Sequence, residues 1–269
     1  MRILQLNAWT GRLKNGLTRF FEQNDFDIIC LQEAVWPNRD GLKTVDHEDW
    51  VDPEKEPNNG DFERIKAQIE YFFATADQIQ EAAGLEYAAK VSNWGMRVLN
   101  GRMEQGNVIL SRYPIENVRN ILVHGEYDGD TEFKGRTDHG YYAQIVRING
   151  INVVNYHGYW LPDPIGDEMT VKTMGKVADE IKKTEGPIVM CGDLNVVSAS
   201  PAMRELDFLR DLTAENKLKM TLSGLKFDGK VACDHILVSD EVEVQDFKMR
   251  NELISDHFAL EAEISVDGR

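Results

Sequence analysis

Cysteine is scarce in this chain. It has three, Cys30, Cys191 and Cys233, and no Cys-x-x-Cys pair. An odd count lying in or beside apolar runs excludes a disulfide framework and a zinc cluster, so all three are expected to be reduced and buried. Basic residues are also short: 30 Lys and Arg face 46 Asp and Glu, for a net charge of −16. A protein that wraps long nucleic acid carries a basic face, and this balance argues against one. The deficit is uneven. Residues 33–86 hold fourteen Asp or Glu and five Lys or Arg, whereas in 90–119 Lys90, Arg97, Arg102, Arg112 and Arg119 face only Glu104 and Glu116. A local basic lip on an acidic body is therefore expected. No apolar run approaches the roughly 18 residues of a membrane span. The N-terminus enters the strand-like run "RILQLNAW" without the zones of a leader peptide, so a cytoplasmic protein with no membrane partner is expected. Internal repeats and low-complexity tracts are missing too.

What is present is an ordinary globular composition, 42% hydrophobic and 28% charged over 269 residues. That length suits one domain, 1–269. Apolar runs alternate with helical patterns. "RILQLNAW" and "FDIICLQE" read as strands around a helix near 13–24. Ile65, Ile69, Phe72, Phe73, Ala76 and Ile79 form the stripe of a long helix that Gly84 stops. Asn149-Gly150 signals a hairpin. A second long helix, 167–183, precedes the strand "PIVMCGD". The segment from Trp36 to Asp61 is acidic and poorly patterned, and reads as a solvated insertion, with a substrate lid as the sharper alternative. Many strands with few helices imply two packed sheets with helices outside.

Several strands end in polar residues where a core should continue. "ILQLN" ends in Asn7 and "IICLQE" in Glu33. "INVVNYH" ends in Asn155 and His157, and "IVMCGDLN" in Asp193 and Asn195, two apart and so on one face of an extended chain. "ACDHILVS" carries Asp234 near its start, and "SDHFAL" places Asp256 and His257 at the opening of the last strand. Singly, each is an ordinary turn residue. Together they make a set. Glu33, Asp193 and Asp256 are hard oxygen ligands suited to Mg²⁺, with Mn²⁺ as a substitute. Asn side chains orient water or a ligand. His157 and His257 exchange protons near neutral pH, and Asp234 can fix the tautomer of one of them. That combination suits phosphoester hydrolysis.

The motifs "LQLNAW", "IICLQE", "GNVILSR", "NYHGYW", "CGDLN", "CDHILVS" and "SDHFAL" occur in an order that resembles the endonuclease/exonuclease/phosphatase superfamily, from about residue 1 to 265. The resemblance implies an α/β fold, a four-layer α/β/β/α sandwich of two mixed, mainly antiparallel sheets flanked by helices. It implies a Mg²⁺-dependent phosphoesterase. Carried over residue by residue, Glu33 is the main metal ligand, with Asn7 beside it and Asp256 at a second metal position or the leaving group. Asp193 orients or deprotonates the attacking water, and Asn195 holds the phosphate. His257, oriented by Asp234, stabilises the phosphate or acts as base; His157 contacts the phosphate or acts as acid. Trp9 stands where abasic-site enzymes carry Asp, and His157 where they carry Tyr, which counts against abasic-site repair. Trp94, Arg97 and Arg102 precede a strand near the groove and suit a nucleotide by stacking and charge. The expectation is a monomeric phosphodiesterase or nuclease acting on a short or terminal nucleic acid. The alternatives are a phosphatase or phosphodiesterase for a small molecule or lipid head group, and a catalytically silent binding module.

Overall fold

The protein is described by a computed structural model over residues 1–38, 75–98, 101–127, 139–225 and 230–266. Strand alternation sets its layers. β1 (Arg2–Asn7) sends Ile3, Gln5 and Asn7 to one face and Leu4 and Leu6 to the other. α1 (Lys14–Gln23) follows, then β2 (Ile28–Asn38), which runs parallel to β1. The next helix, α2, is described over 75–83 and leads to β3 (Tyr87–Val98) and β4 (Gly101–Ser111). β5 (Ile115–His124), β6 (Tyr141–Ile148) and β7 (Ile151–Tyr156) begin a second sheet. It is extended, across α3 (Glu168–Ile181), by β8 (Ile188–Asp193), parallel to β7 as a helical crossover requires. The short β9 (Arg210–Asp211), α4 (Leu212–Glu215) and β10 (Asp234–Val238) complete that sheet. β11 (Val242–Met249) and β12 (Leu260–Val266) return to the first. The orders are β11-β12-β1-β2-β4-β3 and β5-β6-β7-β8-β10-β9.

Three apolar clusters fill three interlayer spaces. Between the sheets, Ile3, Ile28 and Cys30 meet Val153, Val189 and Ile236. Leu17, Phe20 and Phe21 of α1 and Ile79 of α2 cover Leu4 and Leu31 outside the first sheet. Met174, Val177 and Ile181 of α3 cover Val154 and Met190 outside the second. This is the expected four-layer sandwich. Each such side chain, fully buried, contributes about 1.5–3 kcal/mol. α3 starts where Asp167 caps it, its carboxylate accepting from the Met169 and Thr170 amides. The hairpin at Asn149-Gly150 forms as its residues demand, with φ of 47° and 83°.

The inter-sheet face changes character at one end. Along β1 it reads Ile3, Gln5, Asn7; along β2, Ile28, Cys30, Gln32; along β7, Val153, Asn155; along β8, Val189, Cys191, Asp193. β10 runs antiparallel to β8, so its polar residue comes first, and Asp234 pairs in register with Asp193. Apolar core therefore gives way to a buried polar layer at the same edge in five strands.

Three details differ from the sequence reading. β2 does not stop at Glu33 but passes through a bulge and continues to Asn38, which buries Trp36 at 9% exposure. Residues 36–38 of the expected solvated insertion therefore belong to β2, and its residues 39–61, with the first part of the expected long helix, lie outside the described residues. Asp256 and His257 precede β12 rather than opening it. Asn195 lies beyond the end of β8 in a turn with φ 57°, so two-residue alternation does not govern it.

Candidate active site

Asp193 is the centre of the polar layer. It is 1% exposed and ends β8. Its carboxylate accepts from Asn7 Nδ2 at 2.9 Å and from the Asn195 amide at 3.0 Å. His157 Nε2 lies 3.5 Å away on one side and His257 Nε2 3.7 Å away on the other. Burial pushes the Asp193 pKa up, but the two imidazoles and Asn7 outweigh it and hold the carboxyl well below its usual range. Asp193 is therefore a permanent carboxylate. It accepts hydrogen bonds but is a weak base.

Glu33 joins the cluster through the β2 bulge. Leu31 pairs with Val108 and Ala34 with Gly106, so two residues of β2 oppose Asn107 alone. Glu33 takes φ 50° there, and its Oε1 accepts from Asn7 Nδ2 at 3.3 Å and lies 3.9 Å from His157 Nε2. Among the described residues seven other than glycine have positive φ, and four of them, Trp9, Thr10, Glu33 and Asn195, surround this site. Each costs about 1–3 kcal/mol, strain of the kind that concentrates at functional sites.

His257 is held from behind. Asp234, 0% exposed, places Oδ2 2.8 Å from His257 Nδ1, which leaves Nε2 facing Asp193. Burial pulls the His257 pKa down, but Asp234 and Asp193 outweigh it and raise it well above its ordinary value. The same balance, set by Asp193 and Glu33, raises His157. Both rings are thereby biased toward imidazolium.

A chain of amides fixes Asp234 in turn. Asn155 donates its NH₂ to the Leu31 and Val108 carbonyls, so its Oδ1 must accept from Gln32 Nε2, at 2.7 Å. Gln5 Nε2 donates to Gln32 Oε1 at 2.9 Å and to Asp234 Oδ1 at 2.8 Å. Each amide has one way to face, set at the far end by backbone carbonyls. Gln5 and Gln32 were not singled out from the sequence. Their signal was present: a carboxamide at an inward position of an otherwise apolar strand.

The expected site residues thus assemble, with some changes of role. Asn7, Glu33, His157, Asp193, Asp234 and His257 form one network. Asp256 Oδ1 lies 3.9 Å from His257 Nε2 and borders the same cavity. Asn195 also borders it, but one of its amide hydrogens is taken up by the Gly158 carbonyl at 2.9 Å, a tie between two loops. Trp94 lines an adjoining cavity. Arg97 and Arg102 pair across β3 and β4, and their side chains lie outside the described residues.

Two cavities meet at Glu33 and Trp160. The first, about 440 Å³, has Asp193, Asp256 and His257 on its polar side and Trp160, Leu161, Leu222 and Val231 among its apolar walls. The second, about 290 Å³, contains His157, three Trp side chains (Trp9, Trp94, Trp160) and Tyr141. Among the described lining residues of both, Arg12 is the one Lys or Arg, its guanidinium 4.9 Å from the Trp9 ring.

Two groupings could hold a metal. The ligand atoms of Asp193, Cys233, Asp234 and His257 lie within 4.8 Å of one another. However, Asp234 already serves His257 and Gln5. Burial, then Asp193 and Asp234, push the Cys233 thiol far up, so it is no thiolate. Glu33 and Asp256 offer hard oxygens on the cavity wall, and these fit Mg²⁺ or Mn²⁺ better. Asn7, expected as a ligand beside Glu33, instead turns its NH₂ to Glu33 and Asp193 while its Oδ1 accepts from the Trp9 amide at 3.0 Å, so it positions the carboxylates.

A buried pair behind the site escaped the sequence reading. His235 points to the opposite face of β10 from Asp234. Its Nδ1 lies 3.1 Å from Asp211 Oδ2 and its Nε2 2.9 Å from the Val196 carbonyl. Both partners only accept, so the ring carries both protons. Burial pulls its pKa down, but Asp211 and the carbonyl outweigh it and raise it. A raised folded pKa gives stability that is complete below the unfolded value near 6.5 and is lost as pH rises through the folded value. His235→Ala should cost about 1–3 kcal/mol, because it leaves the Val196 carbonyl without its donor and Asp211, half-buried, with only Ser198 and Thr213. Urea unfolding checks this, and the gap between wild type and variant should narrow as pH rises above 6.5.

With this geometry in place, the comparisons are specific. A model of the Endonuclease/Exonuclease/phosphatase family matches residues 4–257. No curated protein matches the chain. Among solved structures, an endonuclease/exonuclease/phosphatase from Beutenbergia cavernae is similar, with a TM-score of 0.65 and 13% identity over 100% of this chain and 72% of that one. A mannosyl-6-phosphatase from Bacteroides thetaiotaomicron gives 0.61 and 14% over 98% and 99%. A 3′ phosphatase from Neisseria, bound to a product DNA hairpin, gives 0.56 and 17% over 98% and 99%. These identities speak for the fold, and the family model speaks for the sequence: the chain belongs to the endonuclease/exonuclease/phosphatase family, whose members hydrolyse phosphoesters.

Proposed function

We propose that the protein is a divalent-metal-dependent phosphodiesterase acting on a short or terminal nucleic-acid substrate. One observation carries the choice of diester: two separate cavities meet at the same carboxylate, Glu33, beside Asp193 and both histidines. A phosphodiester has two substituents to place, and a monoester has one. The scarcity of cations in the lining speaks against a polyphosphorylated small molecule, and the net charge of −16 against long duplex DNA.

Glu33 and Asp256 would hold Mg²⁺ or Mn²⁺, with Asn7 fixing Glu33 and Asp193 through its NH₂, and the ion as a Lewis acid would neutralise charge on the phosphoryl oxygens. Asp193 accepts a hydrogen bond from the attacking water and aligns it. His257 donates from Nε2 to a phosphoryl oxygen while Asp234 holds Nδ1. As the water oxygen bonds to phosphorus its proton passes to the Asp193 carboxylate, and as the bond from phosphorus to the leaving oxygen breaks, His157 gives its proton to that oxygen. Charge developing on those oxygens then meets two imidazolium groups already in place. Asn195, in the wall of the same cavity, would donate its second amide hydrogen to the phosphate. The three buried free thiols, Cys30, Cys191 and Cys233, suit a cytoplasmic setting.

Rates on bis(p-nitrophenyl) phosphate, p-nitrophenyl phosphate and a short single-stranded oligonucleotide, each with Mg²⁺, test the reading. The diester and the oligonucleotide should be turned over at least about tenfold faster than the monoester. A monoester preferred by that margin would replace the reading with a small-molecule phosphatase.

A further inference from the structure

The larger cavity, of about 440 Å³, has a side that the hydrolytic machinery does not use. Away from Asp193, Asp256 and His257 its walls include Leu161, Pro162, Pro164, Leu222 and Val231, none of which carries a polar side-chain atom. These walls have surface to offer: Leu161, Pro164 and Val231 are half-buried and Pro162 is exposed. Backbone hydrogen bonds hold both of them in place. One wall belongs to the connection between β7 and α3. There the Gly158 amide donates to the Asp193 carbonyl at 2.8 Å, and the Pro164 carbonyl accepts from the Val197 amide at 2.9 Å. A Cβ on Gly158 would meet the Leu194 carbonyl oxygen at 2.0 Å, so only glycine allows that approach. The other wall precedes β10. The Thr221 amide donates to the Val231 carbonyl at 2.8 Å, the Ser223 amide to the Asp256 carbonyl at 2.7 Å, and the Phe258 amide to the Thr221 carbonyl at 2.6 Å. Leu222 is thereby bridged to His257. The apolar side is preformed and continuous with the catalytic cluster.

Resting on the phosphodiesterase reading above, we propose that this cavity binds one ester group of the substrate, and that the group is uncharged and apolar, with no further phosphate beyond it. Two effects select it. Each methylene moved from water onto such walls tightens binding about three- to fourfold. A carboxylate or second phosphate placed there would lose its water, and no Lys or Arg among the described lining residues would replace it. It would also face Asp193, which is a permanent carboxylate. The scissile phosphate is therefore the last one on this side, and any further nucleotides leave the cluster by another path. Leu161, Leu222 and Val231 are specificity residues here.

The methyl, butyl and 3-carboxypropyl esters of thymidine 5′-phosphate test this as competitors of bis(p-nitrophenyl) phosphate hydrolysis with Mg²⁺ present. Inhibition constants read binding whether or not the esters are cleaved, so leaving-group reactivity does not enter. The butyl ester should bind about thirtyfold more tightly than the methyl ester, for three added methylenes. The 3-carboxypropyl ester, which ends the same chain in a charge, should bind no more tightly than the methyl ester. Val231→Asp and Leu161→Asp should each cut the butyl-to-methyl ratio to about threefold or less, and thermal melting shows which variant folds. Equal binding of the methyl and butyl esters to the wild-type protein would overturn the proposal. So would a full ratio in a folded variant, or a 3-carboxypropyl ester that binds as well as the butyl. Failure of the phosphodiesterase reading shows elsewhere, as a lack of chelator-sensitive turnover of bis(p-nitrophenyl) phosphate; calorimetry on the same three esters then still reads the cavity.

Discussion

Glu33→Gln should lower turnover by about a thousandfold or more while the protein still folds. Gln has nearly the same volume and can follow the same bulge, but it brings no negative charge to the junction of the two cavities. A bound divalent ion supplies several kcal/mol of transition-state stabilisation, and each 1.36 kcal/mol is tenfold in rate. The fold should not suffer. Glu33 is half-buried rather than core, and it contacts Asn7 and His157 within a cluster already crowded with carboxylates. Removing one negative charge beside Asp193 relieves repulsion. Steady-state rates over a Mg²⁺ titration, with melting curves alongside, check both halves. Turnover within about tenfold of wild type at saturating Mg²⁺ would remove Glu33 from its role.

Asp234→Asn should lower kcat by about 10³–10⁴-fold with KM little changed, as lost orientation and charge do in other carboxylate–His pairs. The reason is geometric. Asp234 accepts on both oxygens, from Gln5 at Oδ1 and at Oδ2 opposite His257 Nδ1. Asn has one acceptor oxygen. If its NH₂ turns to Gln5, two donors face each other in a buried layer, and Gln5 cannot flip without breaking the run to Gln32 and Asn155. If its NH₂ turns to His257, Nδ1 must give up its proton and the imidazolium is lost. Either way, Nε2 no longer presents a positive, fixed donor. A variant with kcat within about tenfold of wild type would show that His257 needs no carboxylate behind it.

The sheets were legible because their signal is periodic. Ile3, Gln5 and Asn7 against Leu4 and Leu6 announce two differently packed faces, and Asn149-Gly150 announces its own turn. The site was legible for the same reason: each contributing strand turns from apolar to polar on one face at one end. What escaped needed three-dimensional partners. Gln5 and Gln32 look like isolated polar residues until the second sheet brings Asn155 and Asp234 to them. His235 carries no signal of its own beside Asp234, and its partner Asp211 comes from a two-residue strand too short to show periodicity. Asn195 reaches the same cavity as Asp193 through a left-handed turn rather than by strand alternation, which ends with β8.

Chelation tests the central claim most directly, which is phosphodiester hydrolysis at the Glu33–Asp193–His257 cluster with a divalent cation. Purified protein would be stripped with EDTA, and hydrolysis of bis(p-nitrophenyl) phosphate followed as Mg²⁺ or Mn²⁺ is restored, for wild type and Glu33→Gln in parallel. Wild-type activity should vanish on stripping and return with saturable dependence on the ion, while Glu33→Gln stays inactive at every concentration. Full activity in the stripped protein, or equal recovery in both proteins, would contradict it.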